Sequence, residues 1–308
     1  GSLSGTNEFR GEWAQHVAEL AAEGVISAET AAAHPALIIV GLVGSIDNDM
    51  VGTDMTIGAD TALHRILDAI DQLTSTAASH QRTFVVEVMG RHCGYLPLMA
   101  AVAGGADYVF TPEDPAGPGW QDDLAEHLRL GREAGRRESI VLVAEGAHDR
   151  DGNELSTQLI ADTIQERTGE DARVTILGHV QRGGTPSAYD RWMSTLLGYA
   201  AVQEILASTA EDEPVILGVR RNRITRVPLM KAVHDTRAVK DLIAAGDYAA
   251  AQASRGSSFS SMVGINQILS TPPQLTPEPT GESQRVAILH AGGLAPGMNT
   301  AARVAVRL

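Results

Sequence analysis

The chain has 308 residues, 44% of them hydrophobic and 20% charged, which is ordinary for a globular protein and, at about 150 residues per domain, suggests two domains. A net charge of −14 argues against nucleic acid or an anionic membrane as a partner, since both call for a cationic surface. The lone cysteine, Cys93, excludes an intrachain disulfide, lacks any metal-ligand spacing, and fits a packed residue in a reducing cytosol.

Taken in chain order, the apolar pattern predicts a helix at 7–23, a strand at 37–43 (LIIVGLV) and a helix at 61–77. In that helix Leu63, Ile66, Leu67, Ile70 and Leu73 make one apolar face. Strands follow at 83–88, 107–111, 139–144, 173–177 and 214–219, alternating with helices near 93–103, 120–134, 156–167, 190–207 and 228–245. Most of the strands are continuously apolar, as strands covered on both faces are, so the pattern predicts an α/β fold with mainly parallel sheets. Residues 270–284 carry four prolines and no periodicity and read as a linker; a strand at 286–290 and a helix at 296–307 come after it.

In such sheets ligands gather at the C-terminal ends of strands, where three stretches invite chemistry. In GSIDND, Asp47 and Asp49 stand two apart on a turn read as extended, so that their side chains point the same way. They suit a general base with a magnesium-linked partner, or a solvated Asx-turn. In VVEVMGRHCGYL, Met89, Gly90 and Arg91 lead toward a helix where Arg91 is placed to hold phosphate, or is a surface arginine. In ILGHVQRGG, His179 and Arg182 are three apart and able to reach one anion. Glu145 ends a further strand, placed either to accept from a sugar hydroxyl or to cap a turn. The loop HAGGLAPGMN is glycine-rich before a helix but lacks the Gly-Lys-Ser/Thr of a Walker loop. Together these groups fit phosphoryl transfer onto an alcohol.

GSIDNDMVGTDMTIG, SHQR, VVEVMGRHCGYL, AEGAHD and ILGHVQRGGTPSAYDR, in this order and spacing, closely resemble the ATP-dependent 6-phosphofructokinases. The stretch 227–259 is similar to the end of the first half of the tandem, eukaryotic-type enzymes. The resemblance implies two Rossmann-like three-layer lobes: 1–58 with 183–269 for the nucleotide and 59–182 for the sugar phosphate. The linker at 270–284 and the start of a second half at 285–308 would follow. It implies transfer of the γ-phosphoryl group of MgATP to the 1-hydroxyl of fructose 6-phosphate, in an allosteric, cytoplasmic homo-oligomer. Asp47 would be the general base and Asp49 would support it and the magnesium. Ser45, Met89, Gly90, Arg91 and Glu145 would contact the sugar phosphate, with Arg91 also reaching the transferred group. His179 and Arg182 would hold the 6-phosphate, and Arg82 and Arg173 would reach in from a neighbouring subunit or half. Gly1 and Ser2 would close the ATP-binding GGDGS loop. Gly44, before Ser45, favours ATP over pyrophosphate. Asp107 aligns with an effector-site acid or is a surface residue. On the same alignment the chain resembles an internal fragment, and Leu294, where catalytic halves carry Asp, hints at a regulatory second half. A non-catalytic regulatory half and a pyrophosphate-dependent enzyme are the alternatives.

Overall fold

The computed structural model describes residues 2–272, 287–293 and 295–307. In chain order the elements are α1 (Ser2–Ala22), α2 (Ala28–Ala33), β1 (Val40–Leu42), α3 (Ala59–His80), β2 (Thr83–Val88), α4 (Tyr95–Gly104) and β3 (Tyr108–Phe110). There follow α5 (Trp120–Glu133), β4 (Ser139–Ala144), α6 (Thr157–Thr168), β5 (Ala172–Ile176) and a 3-10 turn (Gly178–Arg182). The chain continues with α7 (Ala188–Ala207), β6 (Val215–Arg220), β7 (Arg223–Pro228), α8 (Leu229–Ala244), α9 (Tyr248–Ser254), α10 (Ser257–Ser270) and α11 (Met298–Arg307). Two compact units result, Gly1–His64 with His179–Phe259, and Arg65–Gly178 with Ser260–Leu308. Most of α10 belongs to the second unit.

The first unit holds a three-stranded sheet in the order β1-β6-β7, with β1 parallel to β6 and β7 antiparallel. Its core is Val43, Met193, Leu197, Leu217 and Leu229, which joins the sheet to α7 and α8. The second unit holds an all-parallel sheet in the order β3-β4-β2-β5. Every residue of β4 is buried, so both faces of that strand are covered, as its unbroken apolar sequence requires. On one face Val85, Val141 and Val143 pack against Trp120, Leu124, Ile160 and Ile164 of α5 and α6. In α3, Ala62, Ile66 and Ile70 recur every fourth residue with no exposure, the apolar stripe that drives this helix onto its neighbours.

The structure is α/β with mainly parallel pairing. It adds β7, α2, α9 and α10 to the sequence expectation, and residues 287–290, within the strand expected at 286–290, form no strand. The linker from 273 on, Gly1 and Leu294 lie outside the described residues.

Candidate functional site

In the first unit, β1 runs out at Leu42 and the chain enters the loop that carries Ser45, Asp47 and Asp49. The loop is closed at its base by a parallel bridge between Gly44 and Ile57, with Ser45 N–H donating to the Ile57 carbonyl at 3.2 Å and Ile57 N–H to the Val43 carbonyl at 2.8 Å. Asn48 sits at φ 50°, in the left-handed region that Asn tolerates better than most residues. This corrects the extended turn expected between Asp47 and Asp49. The left-handed residue breaks the alternation that would have aimed both carboxylates one way. Ser45 unites them instead: its hydroxyl donates to Asp49 Oδ1 at 2.8 Å and accepts from Asp47 N–H at 3.3 Å. Asn48 Oδ1 in turn accepts from Thr56 N–H at 2.7 Å, and Asp49 C=O accepts from Arg255 at 3.1 Å. Asp47 is only 7% exposed. The third aspartate, Asp54, is structural: it accepts from Arg221 N–H at the β6–β7 turn at 2.8 Å.

Also in the first unit, His179 and Arg182 occupy the 3-10 turn, where positions three apart eclipse, so the two exposed side chains leave the same side of the turn. Ser2 lies in the first turn of the 21-residue α1, whose leading N–H groups have no intrahelical partner.

In the second unit, the loops after the adjacent strands β2 and β4 interlock. Glu145 N–H donates to the Val88 carbonyl at 2.9 Å, and Arg91 N–H donates to Glu145 Oε2 at 3.1 Å. Arg91 has φ 51°. Gly146 lies so close beneath it that an added Cβ would stand 2.0 Å from the Arg91 carbonyl oxygen. Gly90, at φ 145°, has the same need: a Cβ there would stand 2.3 Å from the Cys93 carbonyl oxygen. Met89 is half-buried, while the side chains of Arg91 and Glu145 are exposed. The expectation that Arg91 sits at a helix N-terminus needs correction, because α4 begins only at Tyr95, after the Gly94 N-cap. Cys93 is buried.

Glu113, fully buried, accepts from Gly94 N–H at 2.9 Å and holds this turn from behind. Sequence reasoning missed it, because neither its burial nor its partner 19 residues away shows in the sequence.

Arg82 and Arg173 meet at the other end of the same sheet. Both donate to Asp171 Oδ2, at 2.7 and 3.0 Å. Arg82 precedes β2 and Arg91 follows it, and the six-residue strand spans about 20 Å. Within this unit, therefore, the structure joins Arg91 with Glu145 and separates both from Arg82 and Arg173. Asp107 is buried rather than on the surface, ion-paired with Arg136 and accepting from Ile140 N–H at 2.8 Å. Among the described residues no group of three His, Cys, Asp or Glu side chains could hold a metal ion, and no helix is long and apolar enough to cross a membrane.

Residues 1–205 match the family model described as phosphofructokinase. The chain is 48% identical over its whole length to 39% of the ATP-dependent 6-phosphofructokinase, liver type, of both Bos taurus and Homo sapiens. It is 46% identical over 99% of its length to 38% of the ATP-dependent 6-phosphofructokinase of Aspergillus fumigatus. It thus spans about two fifths of the length of these relatives. Among solved structures, the phosphofructokinase of Saccharomyces cerevisiae superposes with a TM-score of 0.85 at 44% identity, over 88% of this chain and 36% of that one.

Proposed function

This chain belongs to the phosphofructokinase family, and we propose that it supplies the acceptor side of ATP-dependent phosphorylation of fructose 6-phosphate at the 1-hydroxyl. The observation that carries this reading is the Ser45 hydroxyl, which ties buried Asp47 and half-buried Asp49 together at the end of a parallel strand. Asp47 then accepts the proton of the sugar 1-hydroxyl as that oxygen attacks phosphorus, and Ser45 contacts the sugar beside it. Asp49, already carrying the Ser45 hydrogen bond, keeps the loop set and offers its remaining lone pairs.

On the second unit Arg91 is assigned to the transferred phosphoryl group, and Met89 and Gly90 to the sugar phosphate. Glu145 uses one oxygen to fix the Arg91 backbone and keeps the other for sugar hydroxyls. His179 and Arg182, on one side of their turn, pair with the 6-phosphate. Asp49, a half-buried carboxylate with lone pairs to spare, would be the protein-side partner of a magnesium ion that enters with the nucleotide. When bound, the ion neutralises charge on the donor. Gly1 and Ser2 are assigned to the nucleotide phosphates.

ATP is favoured over pyrophosphate by Gly44. No packing demands its glycine, since a Cβ there would meet nothing within 4 Å. The bare position leaves room that a longer donor uses. Arg82 and Arg173 are assigned to a neighbouring subunit's or half's site, in keeping with their place at the far end of the sheet. The protein is accordingly proposed to be a cytoplasmic homo-oligomer, responsive to effectors.

The test is a coupled assay with fructose 6-phosphate and either MgATP or pyrophosphate. It is run on the 308-residue chain and on a form extended to the relatives' length. Turnover with ATP alone, in the extended form, supports the reading. Turnover with pyrophosphate but not ATP overturns the donor assignment.

A further inference from the structure

A cavity of about 320 Å³ lies inside the second unit, and none of the residues assigned above to substrate or nucleotide lines it. Its walls come from Tyr108 and Phe110 of β3, His127 of α5, Arg150, and Val263 and Asn266 of α10. Three of these groups bear on what could fill it.

Asn266 is 8% exposed, and its side-chain amide makes no hydrogen bond with any other residue. The amide lines the cavity, so its donor and acceptor are open to a polar group that enters there. Arg150 is exposed and makes no ion pair among the described residues. Its guanidinium carbon lies 3.8 Å from where a Cβ of Gly117 would stand, so the group rests over a residue with no side chain to block the mouth. Asp114 shares this wall and the field of Arg150. His127 supplies a neutral wall: burial lowers its pKa, its Nε2 is buried without a hydrogen bond, and its ring stands edge-on to Tyr108 at 5.6 Å.

The charged and polar inventory is the Arg150 cation beside Asp114, the amides of Asn266 and Gln267, and the rings of Tyr108, Phe110 and His127. A single guanidinium with an aspartate nearby suits one negative charge and not a polyphosphate. The rings and the aliphatic Val263 suit a flat apolar body, and the volume is that of a small-molecule pocket. We propose that this cavity is a ligand site separate from the phosphoryl-transfer groups. It takes a small aromatic anion with a single carboxylate or phosphate group on Arg150, its polar ring substituent on Asn266 and its ring against Tyr108.

The experiment is a calorimetric titration of the 308-residue chain with 4-hydroxybenzoate, with phenyl phosphate, and with the uncharged 4-hydroxybenzyl alcohol. Saturable one-to-one binding of at least one of the anions is expected, with Kd below about 1 mM, and the alcohol should bind at least about tenfold more weakly. Which anion binds more tightly tells carboxylate from phosphate. Arg150→Gln, a change at an exposed position, should weaken the anions about tenfold and leave the alcohol unaffected. Asn266→Leu should weaken 4-hydroxybenzoate more than phenyl phosphate, which has no hydroxyl to lose. Absence of saturation by both anions up to about 10 mM would overturn the proposal. So would equal affinity in Arg150→Gln, or displacement of the probe by fructose 6-phosphate. None of these outcomes bears on the kinase reading, which the coupled assay tests alone.

Discussion

Asp190, in the first turn of α7, accepts a hydrogen bond from the backbone N–H of Thr61, in the first turn of α3, at 2.9 Å. The same carboxylate takes the Gly58 N–H at 2.9 Å and the Thr61 hydroxyl, and is 3% exposed. Ser187, the N-cap of α7, answers from the other side by donating to Asp60. Two helix N-termini thus cap each other, and both gain a carboxylate where the helix dipole favours one. Ile57, one residue before this joint, closes the base of the Asp47 loop. Asp190→Ala should therefore cost about 2–4 kcal/mol in urea unfolding, because it leaves three half-buried donors without their acceptor. Asp190→Asn, which keeps one oxygen acceptor, should cost less. A loss below about 0.5 kcal/mol for the alanine variant would show that the joint does not hold α3.

How much of this was legible depended on how far apart the partners lie in sequence. Buried strands such as SIVLVA declare themselves by continuous apolar runs, and the strand ends follow at once. β7 was missed because RITRVP is arginine-rich and lies beyond a two-residue turn, Arg221 and Asn222, where only positive φ at both positions makes the hairpin. α9 was missed because YAAAQAS gives little apolar contrast, whereas α10 carried a readable signal in Phe259, Met262 and Val263 at helical spacing. The Asp247 side chain capping Ala250 N–H was the signal that could have found α9. The strand-end loops could be read, but Asp190 and Glu113 could not, since their partners stand 129 and 19 residues away.

The contact between Gly146 and Arg91 gives a second prediction. Alanine at 146 would press its Cβ onto the Arg91 carbonyl oxygen, which is backbone and cannot swing aside. Gly146→Ala should destabilise the chain by about 1–3 kcal/mol and raise the KM for fructose 6-phosphate by displacing the Arg91 turn. Gly198→Ala serves as the comparison. That glycine is inside α7 with nothing within 4 Å of its added Cβ, so alanine there should stabilise by about 0.5–1 kcal/mol. Equal behaviour of the two variants would contradict the close approach.

Glu170 sets an acid limb. Burial works to raise its pKa, but hydrogen bonds from Arg132 and from the Thr83 hydroxyl outweigh burial and hold the carboxyl below its ordinary value. A carboxylate with a depressed folded pKa contributes stability that is fully present above the unfolded value, near 4.3, and is lost as pH falls through the folded one. Thermal stability should thus fall below about pH 4.3, and Glu170→Gln should flatten that part of the curve while lowering stability at pH 7. A Glu170→Gln curve parallel to the parent's below pH 4.3 would remove Glu170 from the acid limb.

The assignment of Asp47 as the base makes the sharpest kinetic prediction. Asparagine at 47 keeps the volume and the backbone hydrogen bond to Ser45 but cannot take a proton. In an active, extended form, kcat should fall by about 10²–10⁴-fold, with fructose 6-phosphate affinity within a few-fold of the parent. Ser45→Ala should fall between the two. It leaves the carboxylate of Asp47 in place but removes the hydroxyl through which Asp47 and Asp49 are joined. If Asp47→Asn instead raises KM and leaves kcat unchanged, Asp47 binds the sugar without moving a proton, and the base must be sought elsewhere.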